Sequence, residues 1–267
     1  MNINREWHTL KIEVKDSFAT ITVNRPTKLN ALNVEVLSEL KEVLMEMQKD
    51  DQFAIKGIIL TGEGEKAFIA GADIAEMSEM SPSDAYTLGH LGQNVTMLME
   101  TMKVPMIACV NGFALGGGCE MAMSCDFIYA TNNALFGQPE VKLGLIPGFG
   151  GTQRLAKLVG RNHAKEMIYT GRNVTAAEAK ELGLVVKTFN TRAEMIEEAT
   201  KTLKTITANS AFAVSIAKKV MNEGIDLTTT EGLQLEKRQF SAIFSSEDMR
   251  EGTKAFLEKR SAQFKGK

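Results

Sequence analysis

An excess of charge of either sign is missing from this chain of 267 residues: 31 lysines and arginines face 33 aspartates and glutamates, a net charge of −2. That balance gives no general pull toward nucleic acid or an acidic membrane. No basic stripe interleaved with aromatics runs along the sequence either, so a nucleic-acid partner is not expected. Cysteine is scarce. Cys109, Cys119 and Cys125 form no CxxC pair and sit in apolar segments, which suits small core residues in a reducing compartment. The three histidines, His8, His90 and His163, stand isolated, with no HExxH or paired-ligand spacing, so no metal centre is expected. Neither a GxSxG elbow nor a phosphate loop occurs. Long hydrophobic runs are lacking too: none approaches the length that crosses a bilayer, and the opening MNINREWHTLKIEVKD has no apolar signal-peptide core. The expectation is a cytoplasmic protein without a membrane partner.

What is present is ordinary globular material, 44% hydrophobic and 24% charged, enough for a large core without disulfides. The 15 methionines suit adaptable core packing. Leu10–Val14 and Phe18–Val23 alternate in polarity around Lys15-Asp16-Ser17, which predicts a β-hairpin. Asn33 is a plausible N-cap for a helix to about Lys49, with Val36, Leu40, Val43, Leu44 and Met47 on one side. Lys56–Thr61 reads as a buried strand. Phe68–Asp73 reads as a small-residue turn opening a helix at Ile74, Ser81-Pro82-Ser83 as an interruption, and Tyr86–Met102 as a helix. A glycine-rich turn at 145–151 precedes short helices near 152–159, 162–169 and 176–182, and a last strand at 185–189. Beyond Arg192 the strand signals stop, and helices are expected near 192–208, 210–223, 228–244 and 246–264. The boundary therefore falls at Thr191: mixed α/β over 1–191, all helix over 192–267. Strand, glycine-rich turn and helix recur loosely at Ile58, Met106 and Ala134, as stacked units would.

Met106–Glu140 organises the rest. Met106–Val110 suits a buried strand, broken by Asn111-Gly112. Gly116, Gly117 and Gly118 then stand where a helix begins. Glycine there disfavours the helix by roughly 1 kcal/mol each, and the usual reason for such a row is close backbone approach to a ligand. N–H groups at a helix start favour negative charge. Glu120 follows among Cys119, Met121, Ala122 and Met123, and a carboxylate in so apolar a segment needs a partner or a task. Glu140 comes after the turn Gly137-Gln138-Pro139. Two acids and a row of backbone donors suit proton transfer beside a carbonyl. Local pattern alone equally allows Glu120 on the surface of an amphipathic helix and Glu140 as a loop charge. A dinucleotide site is disfavoured, because the glycines do not fall as GxGxxG and Asp126 opens the next strand rather than closing it.

Five blocks carry a family resemblance over nearly the whole chain: Asn24-Arg25-Pro26 with Asn30-Ala31-Leu32, Ala70-Gly71-Ala72-Asp73-Ile74, NGFALGGGCEMAMSC from Asn111, GQPEVKLGLIPGFGGTQRL from Gly137, and AFLEKR from Ala255. In this order and spacing they resemble the crotonase family, nearest to its bacterial short-chain enoyl-CoA hydratases. The resemblance implies an α/β crotonase fold. This would be a right-handed spiral of ββα units over 1–191 followed by a helical trimerisation region over 192–267, assembled as a homotrimer or a hexamer of paired trimers. It implies reversible syn hydration of a trans-2-enoyl-CoA, with coenzyme A as part of the substrate and no separate cofactor.

The same resemblance implies roles. The backbone N–H groups of Ala72 and Gly117 would form the oxyanion hole. Glu120 would activate water, Glu140 would exchange the Cα proton, and the N–H of Gly148 would help hold the water. Lys28, Ala31, Leu32, Ala70, Asp73, Ile74, Gly116, Pro139 and Lys259 would contact the substrate or its coenzyme A, Lys259 from a neighbouring subunit. Ala75 stands where some relatives carry lysine, which removes one charge contact. Met77, Met80 and the helix from Tyr86 would line the acyl pocket. Relatives that isomerise, hydrolyse, decarboxylate or dehalogenate share the oxyanion turns but commonly lack one acid, so the presence of both favours a hydratase.

Overall fold

The alternating hairpin opens a large sheet. The computed structural model describes Ile3 and residues 5–267. β1 (Leu10–Lys15) and β2 (Phe18–Val23) pair antiparallel, and α1 (Val34–Gln48) follows, capped by the Asn33 side chain on the Val36 N–H. Three successive units then repeat one pattern. β3 (Gly57–Gly62) and β4 (Ala67–Ile69) lead to α2 (Ile74–Met77) and α3 (Pro82–Glu100). β5 (Met106–Val110) and β6 (Phe113–Leu115) lead to α4 (Gly117–Met123). β7 (Phe127–Thr131) and β8 (Leu135–Gly137) lead to α5 (Gly151–Val159) and α6 (Arg161–Thr170). β9 (Asn173–Thr175), α7 (Ala176–Glu181) and β10 (Lys187–Phe189) close the mixed part; α8 (Arg192–Thr207), α9 (Ala211–Gly224), α10 (Thr229–Ile243) and α11 (Glu247–Leu257) complete the chain.

In each unit the first strand joins the large sheet, ordered β1-β2-β3-β5-β7-β10, and the second joins a small sheet, ordered β4-β6-β8-β9. β3, β5 and β7 run parallel, as do β4, β6 and β8. Both β3 and β5 are buried along their whole length, as parallel strands covered on two faces must be. Side-chain alternation sorts them between two cores. Ile58, Leu60, Met106 and Ala108 face the main core with Leu37, Leu40 and Leu44 of α1. Ile59, Ile107 and Cys109 face the opposite way, against Met195, Ala199 and Leu203 of α8. The corner between β5 and β6 is fixed by buried Asn111, whose amide donates to the carbonyls of Gly64 and Ala67 and accepts from the Gly62 N–H. The three cysteines are free and buried.

Several local expectations change. Ser81-Pro82-Ser83 does not interrupt a helix but starts one: Ser81 and Asp84 form a reciprocal capping box and Pro82 takes the first turn, where its missing N–H has no cost. β4, β6 and β9 have three residues each, too short for an alternation to register. The last helix ends at Leu257 rather than near Phe264. Lys259 has φ +53, and the chain returns so that the N–H groups of Lys265 and Gly266 donate to the buried Asp248 carboxylate. α9 and α10 contain no buried residue within the chain.

Candidate active site

β4, β6 and β8 are parallel neighbours, so their carboxyl ends lie side by side. Each end supplies one part of the site: Ala70–Asp73 after β4, Gly116 and Gly117 after β6, Gln138–Glu140 after β8.

The first end is clasped by the loop before α1. Leu32 and Ala72 form an isolated parallel bridge. Its hydrogen bonds run from the Leu32 N–H to the Gly71 carbonyl (2.8 Å) and from the Asp73 N–H to the Leu32 carbonyl (2.7 Å). This leaves the Ala72 N–H turned away from Leu32. At the second end, Gly116 has φ +50 and donates its N–H to the Gly137 carbonyl at 2.9 Å. Gly117 is the first residue of α4, and its N–H is among those that have no acceptor within a helix. A side-chain carbon on Gly117 would stand 3.1 Å from Cδ1 of Leu32. Leu32 thus ties the two turns together, and both offer main-chain donors.

Glu120 lies one turn into α4 and is 1% exposed, so it is no surface residue of an amphipathic helix. Its Oε1 accepts the N–H groups of Phe149 (2.8 Å) and Gly151 (2.6 Å) at the start of α5. Burial pushes its carboxyl pKa up, while those two N–H groups and the Arg154 guanidinium oppose the shift. Glu140 is half-buried. Burial raises its carboxyl to about 7, against the pull of its own backbone N–H, and the charge of Glu120 adds to the rise. With its nitrogen turned to Glu140, the buried Gln138 amide donates to Oε1 at 3.1 Å. Two acids that both resist ionisation, beside main-chain donors, can exchange protons with a bound carbonyl compound.

Residues 28–32 and 70–74 come together, since the Ala70 N–H also donates to the Leu29 carbonyl at 3.1 Å. Lys28 and Ile74 are exposed, Ala31 and Ala70 half-buried, and Leu32 buried. The Asp73 carboxylate is held by Arg25 at 3.1 Å. Pro139 opens the single turn that carries Glu140. Lys259 is exposed beyond α11, and among the described residues no ion pair joins its side chain, or that of Lys28, to the other site residues. Gly148 is exposed and its carbonyl accepts from Gln93 Nε2 at 3.0 Å. The donors to Glu120 are its neighbours, Phe149 and Gly151. Sequence reasoning missed both, because a backbone N–H leaves no mark in residue type; the only signal was the glycine-rich turn. A cavity of about 340 Å³ opens between α1, α2 and α3, walled by Val34, Met80, Leu88 and Leu91 and rimmed by Glu76, Glu79, Asp84 and Thr87. Met77 instead packs half-buried against the core, and Tyr86 is 80% exposed.

His8 is not isolated: its Nδ1 lies 3.1 Å from Glu35 Oε1. With Glu39 these make the only group of potential metal ligands within 4.8 Å among the described residues. The Glu39 carboxylate is already occupied by the N–H groups of His8 and Thr9 and the Thr9 hydroxyl.

A family model described as Enoyl-CoA hydratase/isomerase matches residues 13–267. The chain is 45% identical over 255 residues to the short-chain-enoyl-CoA hydratase of Clostridium acetobutylicum, covering 96% of this chain and 97% of that one. It is 44% identical over 258 residues to the crotonyl-CoA hydratase of Syntrophomonas wolfei, covering 97% and 98%. The crystal structure of an enoyl-CoA hydratase from Bacillus anthracis superposes with a TM-score of 0.93 at 37% identity, covering 97% of this chain and 100% of that one.

Proposed function

The chain belongs to the enoyl-CoA hydratase/isomerase family, and from that premise we propose that it adds water reversibly, in syn geometry, to a trans-2-enoyl-CoA to give the (3S)-3-hydroxyacyl-CoA. Its fold is the crotonase fold and its chemistry that of a hydro-lyase on acyl-CoA substrates. The observation that carries the reading is the pair of protonatable carboxyls, Glu120 and Glu140, next to main-chain donors from two turns.

The thioester oxygen lies between the N–H groups of Ala72 and Gly117. As hydroxide adds at Cβ, negative charge grows on that oxygen, and each donor of this kind contributes about 3–4 kcal/mol in the transition state. Oε1 of Glu120 is already saturated by two N–H groups, so Oε2 takes the proton of the attacking water. Glu140, whose carboxyl holds its proton up to about pH 7, delivers a proton to Cα. Glu120 is then protonated and Glu140 ionised; a proton passing through solvent from Glu120 to Glu140 resets the pair, so the net change is one water added across Cα and Cβ, and the carboxyls exchange roles in the reverse direction. The N–H of Gly148 helps hold the water.

Coenzyme A enters with the substrate, and no separate cofactor or metal takes part. Lys28 and Lys259 meet its phosphates, while Ala31, Leu32, Ala70, Asp73 and Ile74 border adenine and pantetheine. Gly116 and Pro139 bound the reacting end, and the cavity beside Met80 receives the acyl chain. Residues 192–267 serve oligomerisation, as a homotrimer or a pair of trimers. This is supported by α9 and α10, in which no residue is buried as a whole and which leave Met221, Leu233, Phe240 and Phe244 exposed. No helix among the described residues is long and apolar enough to cross a membrane, and we assign the protein to the cytoplasm.

The test is an absorbance assay of enoyl-thioester loss with crotonyl-, hexenoyl- and decenoyl-CoA. Glu120→Gln and Glu140→Gln are expected to fold and bind substrate but to lose hydration by orders of magnitude. Near-normal turnover in either variant refutes the paired-acid mechanism.

A further inference from the structure

Four residues on α3 converge on the turn that grips Glu120. Gln93 Nε2 donates to the Gly148 carbonyl at 3.0 Å. That carbonyl and the Phe149 N–H belong to one peptide group, and the N–H donates to Glu120 Oε1. The next carbonyl, of Phe149, accepts from Arg154 Nη1 at 2.8 Å and shares the Thr96 hydroxyl proton, at 3.2 Å, with the Gln93 carbonyl at 2.9 Å. Arg154 is itself held by both carboxylate oxygens of Glu100, at 2.7 and 2.9 Å. Gly92 completes the set: a side-chain carbon there would stand 2.2 Å from Cδ1 of Phe149, so the ring occupies the space that glycine leaves.

Gly92, Thr96 and Glu100 are spaced by four, one stripe along the helix. The stripe continues from Leu88 and runs beside Val95 and Met99, with which Gly92 and Thr96 are buried. Thr96 is fully buried although its side chain is polar. Packing alone would be served by an apolar residue at that position. The Thr96 hydroxyl stands between the Gln93 and Phe149 carbonyls and so ties the turn to the helix.

We propose that α3 positions the general base, by holding the 148–151 turn so that two N–H groups converge on Glu120 Oε1 and leave Oε2 to face the water. Gln93 and Thr96 are positioning residues here. A peptide whose carbonyl accepts a hydrogen bond is a stronger donor through its N–H, so Gln93 also favours the ionised form of Glu120. The other charged or titratable groups around Glu120 are Arg154 from α5, Glu140 beyond β8, and the Cys119 thiol on its own helix. The inference rests on Glu120 acting as the base proposed above.

The experiment measures kcat, KM and the kcat–pH profile for crotonyl-CoA hydration in Gln93→Met, Thr96→Val and Thr96→Ser, with Glu120→Gln alongside. Gln93→Met and Thr96→Val are expected to lower kcat about three- to tenfold with KM nearly unchanged. Their acid limb moves to higher pH, because Glu120 has lost support for its charge. Thr96→Ser, which keeps the hydroxyl, restores both. Gln93 lies on the surface, so Gln93→Met decides the matter even if Thr96→Val does not fold. Wild-type kcat and pH profile in both Gln93→Met and Thr96→Val, beside an inactive Glu120→Gln, overturn the role of α3 and leave the base in place. A fully active Glu120→Gln overturns the base assignment and this inference with it.

Discussion

A carbon atom added to Gly116 would lie 2.8 Å from Oε1 of Glu140. The glycine after β6 and the acid after β8 therefore share one volume, and no other residue type fits at 116 while Glu140 keeps its place. The φ of +50 at Gly116 adds a second restriction. Gly116→Ala is expected to lose about 1–3 kcal/mol of stability and about a hundredfold in kcat, as a displaced acid misses the substrate. Denaturant unfolding and steady-state kinetics check both; wild-type kcat in a folded variant would contradict the shared volume.

Ionisation of Glu140 weakens the fold. Its carboxyl is raised to about 7 from an ordinary 4.5, so the folded protein holds a proton that the unfolded chain has released. The resulting stabilisation is complete below about pH 4.5 and is lost as pH rises through about 7. After discounting for solvent access, its size is about 1–2 kcal/mol. Glu140→Gln should therefore melt higher than the wild type at pH 8 and nearly level with it at pH 5. An equal difference at both values would remove the argument.

Gly118 is closed off by main chain rather than by a side chain. A carbon there would stand 1.9 Å from the Ile69 carbonyl oxygen of β4, and neither element can yield without moving the sheet. Gly118→Ala is expected to cost about 3 kcal/mol or more, read as a lower melting temperature with little soluble protein. A melting temperature within a few degrees of the wild type would mean that α4 can slide.

Asn30 is buried with φ +58 and holds the loop before α1. Its amide donates to the carbonyls of Glu63 and Ala67, and its oxygen accepts the Arg25 N–H. Asn30→Ala strands those partners, a loss of about 2–3 kcal/mol, and loosens the clasp on Ala72. The measurement is kcat/KM beside thermal stability, with both expected to fall together.

The phosphate contacts proposed for Lys28 and Lys259 predict a rise in KM with crotonyl-CoA for Lys28→Ala and Lys259→Ala, largest at low salt because exposed charges are screened. The same substitutions should leave KM unchanged with crotonyl-pantetheine, which lacks the nucleotide. Equal losses on both thioesters would point to folding or assembly instead.

Glu120 drew attention as a carboxylate in an apolar run, but local pattern left it open as a surface residue and Glu140 as a loop charge; the burial of Glu120 is what the structure adds. Gly116–Gly118 drew attention as a row of glycines where a helix begins. The buried strands β3 and β5 and the hairpin could be read from polarity alone. Of the small sheet only β8 could, at Ala134–Phe136; β4, β6 and β9 are three residues long, below any period. Nor could the donors to Glu120, since Phe149 and Gly151 act through atoms that every residue but proline has. Pro82 was misread because a proline that ends one helix and a proline that begins another look alike until Ser81 and Asp84 are seen to cap the turn. The return of the chain beyond Lys259 depends on Asp248, a contact between distant positions that no local pattern carries.

The carbonyl grip proposed for Ala72 and Gly117 hangs from neighbouring strands of one sheet, whose separation is fixed at about 4.8 Å by the peptide ladder itself. Beyond the loop that Asn30 and Leu32 clasp onto it, the ladder sets its dimensions, so substitutions at the cavity wall can change which thioester is admitted without altering how hard the bond is polarised. The chain is on that account a frame for redesign: varying Val34, Met80, Leu88 and Leu91 at the cavity wall should retune acyl preference while the reaction type stays constant.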